Sequence, residues 1–367
     1  MNLFNKVYLG WIAGACMLWL SACENKELSE PEVAFDKKAM LTHLADEVIV
    51  PAYLRLQTNT QQVRTVFDTF RQDKSNTNLS ALKQAFKDMY VAWQAVKMYE
   101  FGPAGEVAFG ESMNRFPADT AKIEQNMRQG SVNLQTAANL SARGLPAMEY
   151  VVYFYDNNLT GDGVNINQAL DYFAVLLTDF QEQLNIVVAG WQGNYRNQFI
   201  EATGSDIGSS IGLLTNEMSR TIELIKNVKI GIPLGKKSLG TPKPHLIEAA
   251  YGQFSVELME AQTKAIYDFY TGTDASGNNG LGFEDYLISL DAVAQGASLS
   301  QQISQTFNQA LNQLAQIDEP YATAVENKHE EVENAYQTFQ STLVRLVKVD
   351  MSSAFGVQIS YIDNDGD

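Results

Sequence analysis

Cysteine is almost absent from this sequence: there are two in 367 residues, Cys16 and Cys23, both near the N-terminus. Cys16 falls in a segment that reads as removed and Cys23 reads as a modification site, so the mature domain keeps no thiol. That excludes a cysteine nucleophile, a zinc–thiolate site and a disulfide framework. Histidine is nearly as scarce, with only His43, His245 and His329. No nucleophile elbow accompanies them, so a serine triad has nothing to assemble from. Positive charge is short as well. Twenty-six Lys and Arg against 43 Asp and Glu leave a formal charge of -17, which argues against nucleic acid or an anionic membrane surface as a partner.

The apolar run at the N-terminus is too short to span a bilayer. Leu9–Leu20 carries no charge and follows Lys6, but it falls below the roughly 20 residues that a membrane span needs. With its basic start it reads as a signal peptide. It closes on Leu20-Ser21-Ala22-Cys23, which resembles a bacterial lipobox, where small residues precede a cysteine that becomes lipid-modified and N-terminal. The expectation is a signal peptide over 1–22 and a lipidated Cys23 with an acidic tether over 23–38. The chain is then anchored by lipid in a bacterial cell envelope, in the outer membrane, without spanning it.

What the chain has in abundance is helical periodicity. Hydrophobic residues make up 45%, enough for a core, and the length suits two ordinary domains or one large one. Met40, Leu41, Leu44, Val48, Tyr53 and Leu56 repeat at helical spacing, with Pro51 expected to kink or split the helix. Leu79–Tyr99 is a strong helix that stops at Phe101-Gly102-Pro103. Val132–Leu140, Ile166–Val188, Ile207–Val228, Ser255–Tyr270, Leu299–Ile317 and Pro320–Val349 also read as helical. Strand alternation persists only at Gly356–Tyr361. The fold class is all-α, built as helical bundles, and the similar halves, 39–203 and 204–367, hint at a duplicated bundle.

Ser141–Tyr155 is where chemistry and fold meet. Gly144 breaks one helical pattern and Pro146 suits the first turn of the next. Glu149 then lies in or just past that first turn, favoured by the helix dipole. It sits beside the apolar stripe of Met148, Val151 and Val152 rather than opposite it, so it needs a partner.

Gly144-Leu145-Pro146-Ala147-Met148-Glu149 resembles the Gly-x-His-x-x-Glu motif of the imelysin family. Trp93, Phe101-Gly102-Pro103, Phe116-Pro117-Ala118-Asp119 and the segment His245–Ser255 are similar to other family pieces, and Asn364-Asp365-Gly366-Asp367 resembles a family ending. The resemblance implies a two-lobed helical fold with its site in a cleft between the lobes. It also implies an envelope protein associated either with peptidase activity or with iron uptake. The departures are specific. Pro146 stands at the histidine position and offers no lone pair, and Tyr251 stands where the family's second segment has a serine before Gly252. Zinc hydrolysis normally uses three protein ligands, so whether any peptidase chemistry survives is open.

Three readings follow. The first is a binding protein that holds iron or another divalent metal, a metal complex or a small ligand in the cleft. Its candidate ligand-binding residues are Glu149, Arg143, Asp119, Arg115, Gln253 and Ser255, and its candidate metal ligands are Glu149, His245 and Glu248. The second is a metallopeptidase of the imelysin type. The third is an envelope scaffold that presents the loops Gly102–Gly110 and Lys229–Pro244. His329-Glu330-Glu331 lacks the second histidine of His-Glu-x-x-His and reads as a solvated face. His43 reads as a packed helix residue. The acidic tail Asp363–Asp367 resembles the start of a calcium loop but ends before its bidentate glutamate.

Overall fold

The spacing of apolar side chains decides which face of each helix is buried. The computed structural model describes residues 35–158 and 165–361. The signal peptide, Cys23, the tether up to residue 34, residues 159–164 and the acidic tail lie outside the described residues. Helix α1 (Lys37–His43), capped by Asp36, passes through a π-helical turn at Leu44–Ile49 into α2 (Val50–Gln72). Pro51 falls in the first turn of α2, just after the wide π turn. There its missing N–H costs little. Tyr53, Leu56, Val63, Phe67 and Phe70 line the buried face of α2 at helical spacing, as an amphipathic helix requires.

Helix α3 (Asn76–Gln94) packs on α2 and buries Leu82, Phe86, Met89, Tyr90 and Trp93. Two short helices, α4 (Pro103–Glu106) and α5 (Phe109–Met113), and then α6 (Thr120–Gln129), lead to a 3₁₀ turn at Ala137–Ala142. The helical spacing of Val132–Leu140 therefore yields one tight turn rather than an α-helix. Helix α7 (Gly144–Asn158) packs on α3 and on α8 (Ile166–Gly190), and α8 also lies along α2. Trp93 centres this packing, 4.9 Å from Phe109 and 5.8 Å from Phe180 by ring centroids. Truncating such a fully buried aromatic costs about 3–5 kcal/mol.

After α9 (Arg196–Glu201), helix α10 (Ser210–Leu224) runs on as a π-helical turn at Ile225–Gly231. An irregular segment then leads to α11 (Ser255–Thr271), α12 (Phe283–Ser289) and a hairpin of β1 (Val293–Ala294) with β2 (Ala297–Ser298). Helices α13 (Leu299–Leu314), α14 (Tyr321–Asn327) and α15 (His329–Gln337) follow. The chain then passes through π-helical turns at Thr338–Leu343 and Arg345–Met351 into α16 (Ser352–Phe355). Helix α13 packs on α11 and α15, and α11 also packs on α3. The described residues from Asp36 onward form one compact unit, and no helix among them is long and apolar enough to cross a membrane.

The alternation at Gly356–Tyr361 does not make a strand. Its backbone is held by the side chain of Asn216, which donates to the Gln358 carbonyl at 3.0 Å and accepts from the Ser360 N–H at 2.7 Å. One amide side chain supplies the pairing that a strand would draw from a neighbour. Elsewhere the packing of His43 follows its spacing, and its Nε2 lies 2.7 Å from the Gly272 carbonyl. His329 and Glu330 are exposed, in keeping with a solvated face.

Candidate functional site

Helix α7 begins at Gly144, two residues before Pro146, because the chain must turn there with φ +72°. A Cβ at this position would meet the Met113 carbonyl oxygen at 2.1 Å, so only glycine fits. This entry carries Glu149 inward, to 2% exposure. Its Oε1 accepts hydrogen bonds from the backbone N–H groups of Tyr251 and Gly252, both at 2.7 Å. Burial pushes the Glu149 carboxyl up, the two amides partly offset this, and the nearby Glu248 carboxylate adds to it, leaving the group at about 8. The partner that the sequence demanded is therefore a pair of main-chain amides. The Tyr150 and Tyr251 rings meet edge to face across the same contact, 5.0 Å between centroids.

Beside it lies a closed network around Glu248, which is 3% exposed. Oε1 accepts from Asn114 Nδ2 at 2.7 Å and from Gln94 Nε2 at 3.2 Å, and Oε2 lies 2.6 Å from Lys229 Nζ. Lys229 in turn donates to Gln94 Oε1 at 2.9 Å, and the Tyr90 hydroxyl donates to Asn114 Oδ1 at 2.7 Å. Lys97 Nζ stands 4.0 Å from Glu248 Oε1. Burial pushes the Glu248 carboxyl up, but the charges of Lys229 and Lys97 and the hydrogen bonds outweigh it and hold the group at about 2. Burial takes Lys229 down to about 7 against the pull of Glu248. It lowers Lys97 too. Buried charges persist only when paired and hydrogen-bonded, and Glu248 and Lys229 are both.

A cavity of about 220 Å³ opens next to this network. Lys97, Arg115, Arg220 and Lys229 line it against two acids, Glu100 and Glu111. Glu100 is anchored by the Gly110 N–H at 2.7 Å, and burial raises its carboxyl to about 7. In a chain of net charge -17 the lining is locally rich in cations, of which Lys229 is paired with Glu248, Arg220 with Glu217 at 2.6 Å, and Arg115 lies 3.7 Å from Glu111.

The sequence candidates separate into those that meet and those that do not. Glu149 meets the Tyr251–Gly252 backbone, and the Ser255 hydroxyl donates to the Glu248 carbonyl. Arg115 lines the cavity. Gln253 is exposed at a left-handed turn, φ +58°. Arg143 is instead buried in a two-pronged pair with Asp179 of α8, at 2.6 and 2.8 Å. Asp119 caps α6 by accepting from the Lys122 N–H at 3.0 Å. His245 is exposed.

Among the described residues no group of three or more His, Cys, Asp or Glu is arranged to hold a metal. The candidate donors explain this. Pro146 has none to give, Glu149 is buried and engaged by two amides, and Glu248 is occupied by Lys229, Asn114 and Gln94. These residues do not fit a catalytic metal.

Sequence reasoning passed over Lys97, Gln94, Asn114 and Lys229. A signal was available for Lys229. It continues the apolar stripe Ile211, Leu214, Met218, Ile222, Ile225 at the next i+4 position, where a lysine requires a buried anion.

A helical protein with a closed charge network beside a cation-rich cavity is the class that the fold and site define. The imelysin family profile matches residues 49–348, and the chain belongs to that family. It is 22% identical over 288 residues to iron-regulated protein A of Synechococcus elongatus, covering 76% of this chain and 75% of that protein. Two crystal structures share the fold. One, described as an iron-regulated protein A precursor from Parabacteroides distasonis, aligns with a TM-score of 0.71 at 16% identity, covering 90% of this chain and 97% of the other. The second, an imelysin-like protein from Psychrobacter arcticum, gives 0.69 at 20% identity, covering 89% and 97%.

Proposed function

We propose that this protein is a lipid-anchored binding protein of the bacterial cell envelope. In this reading it takes up a small anionic ligand, such as a carboxylate complex of iron, in a cleft between an N-terminal lobe (39–203) and a C-terminal lobe (204–367). The lipid is on Cys23 and the membrane is the outer one. The observation that carries the reading is the cavity lined by Lys97, Arg115, Arg220 and Lys229 in an otherwise acidic chain. Cationic walls repel a bare metal ion and attract a complex whose ligands are carboxylates. Glu100, held at about 7, loses its charge as the pH falls and deepens the positive potential. The relatives named iron-regulated protein A support an iron connection.

Isothermal titration of the full chain with ferric citrate, citrate and ferric iron alone tests this. Heat with ferric citrate or citrate that is lost in Arg115→Ala, with none for iron alone, is the expected result. Binding of iron alone, or silence with all three probes, overturns it.

A further inference from the structure

The end of the molecule formed by α12, the β1–β2 hairpin and the start of α13 is built unlike the rest of the surface. Ile288 is 57% exposed, Leu290 42% and Val293 69%. Ile288 and Val293 border one open groove of about 430 Å³. Single exposed apolar residues are ordinary, but a cluster on one tip is a docking signal.

On this surface charge is confined to the acids Glu284, Asp285 and Asp291, before the hairpin. From Ala292 to Ile317 there is no Asp, Glu, Lys, Arg or His, in a chain that is 19% charged. The solvent face of α13 is therefore amide, with Gln301, Gln305, Asn308 and Asn312 exposed.

Helix α1 starts close to α12. Lys37, at the start of α1, places its Nζ 5.0 Å from the ring centroid of Tyr286. Tyr286 lies on α12, two residues before Ile288, and α12 is seven residues long. Only Glu24–Asp36 separate Cys23 from α1, a span of at most about 45 Å when fully extended.

We infer that this tip rests on the lipid surface that holds the Cys23 anchor, with Ile288, Leu290 and Val293 in the headgroup region. The inference rests on the lipidation of Cys23 proposed above. A zwitterionic surface suits the tip, because Glu284, Asp285 and Asp291 flank it and would be repelled by anionic headgroups.

The test uses the full lipidated chain on phosphatidylcholine–phosphatidylethanolamine vesicles, with an environment-sensitive dye on Ile288→Cys or, as control, on Gln62→Cys of α2. Mass analysis of Cys23 and flotation report the anchor independently of the dye. The expected result is a blue-shifted dye at 288 that lipid-phase quenchers reach, and a water-like dye at 62. The exposed triple change Ile288→Ser, Leu290→Ser, Val293→Ser is expected to keep the helical circular dichroism. In a Cys23→Ser background it weakens vesicle partitioning roughly tenfold or more. A water-like dye at 288 on floated, lipidated protein overturns the inference. So does a blue shift that appears without vesicles and grows with protein concentration, which would assign the tip to a second copy of the chain. An unmodified Cys23 with no flotation removes the anchor itself, and the inference with it.

Discussion

Lys229 and Glu248 face each other at 2.6 Å with both side chains 2% exposed. They join a turn at the end of α10 to the irregular segment before α11, and Gln94 and Asn114 tie both to the N-terminal helices.

Breaking this pair from one side leaves a buried charge. Glu248→Met and Lys229→Met are each expected to lower stability by about 3–5 kcal/mol, while the double change to Met at both positions recovers most of the loss. Urea denaturation of the two singles and the double closes the cycle, and additive losses would show that the two residues act separately.

Glu149 sets a pH dependence with a definite sign. Its ordinary value of 4.5 is raised to about 8 in the folded chain, so between those values the native state holds a proton that the unfolded state has lost. Its contribution to stability is complete below about 4.5 and declines by about 1 kcal/mol per pH unit as the pH rises to about 8. The difference between wild type and Glu149→Gln, measured by denaturation from pH 5 to 8.5, isolates this slope. A flat difference refutes it.

Removing the Glu149 side chain is a different experiment from neutralising it. Glu149→Ala leaves the N–H groups of Tyr251 and Gly252 without an acceptor and costs about 2–4 kcal/mol. Faster amide exchange at 251 and 252, with α11 unchanged, is the accompanying signature.

Gly144→Ala meets two penalties, the left-handed φ and the Met113 carbonyl at 2.1 Å from the new Cβ. A loss of about 3 kcal/mol or more is expected, with a thermal midpoint to match.

Placing a histidine at position 146 does not make a metal site. Pro146→His supplies one imidazole beside a carboxylate already engaged by two amides, short of the three ligands that zinc hydrolysis uses. Titration of this variant with zinc or ferrous iron is expected to show no binding tighter than about 1 mM.

Much of this was legible along the chain. The stripes of α2, α3, α8, α10, α11 and α13 follow from apolar spacing, because a helix has to bury one face. The need of Glu149 for a partner was legible for the same reason. Its partner was not, since Tyr251 and Gly252 lie about a hundred residues away and offer backbone amides that every residue but proline carries. Val132–Leu140 and Gly356–Tyr361 misled because short patterns are overruled by local contacts, a 3₁₀ turn in one case and the Asn216 side chain in the other.

By itself the sequence determined the all-α class and the membership of the imelysin family. Each of these depends on residue identity and near-neighbour spacing. Only the tertiary structure decided which charges meet: Arg143 with Asp179, Glu149 with two amides, and Lys229 with Glu248 beside a cation-rich cavity. Electrostatic free energy depends on distance and burial in three dimensions, and those are fixed by packing between segments that are far apart in the chain.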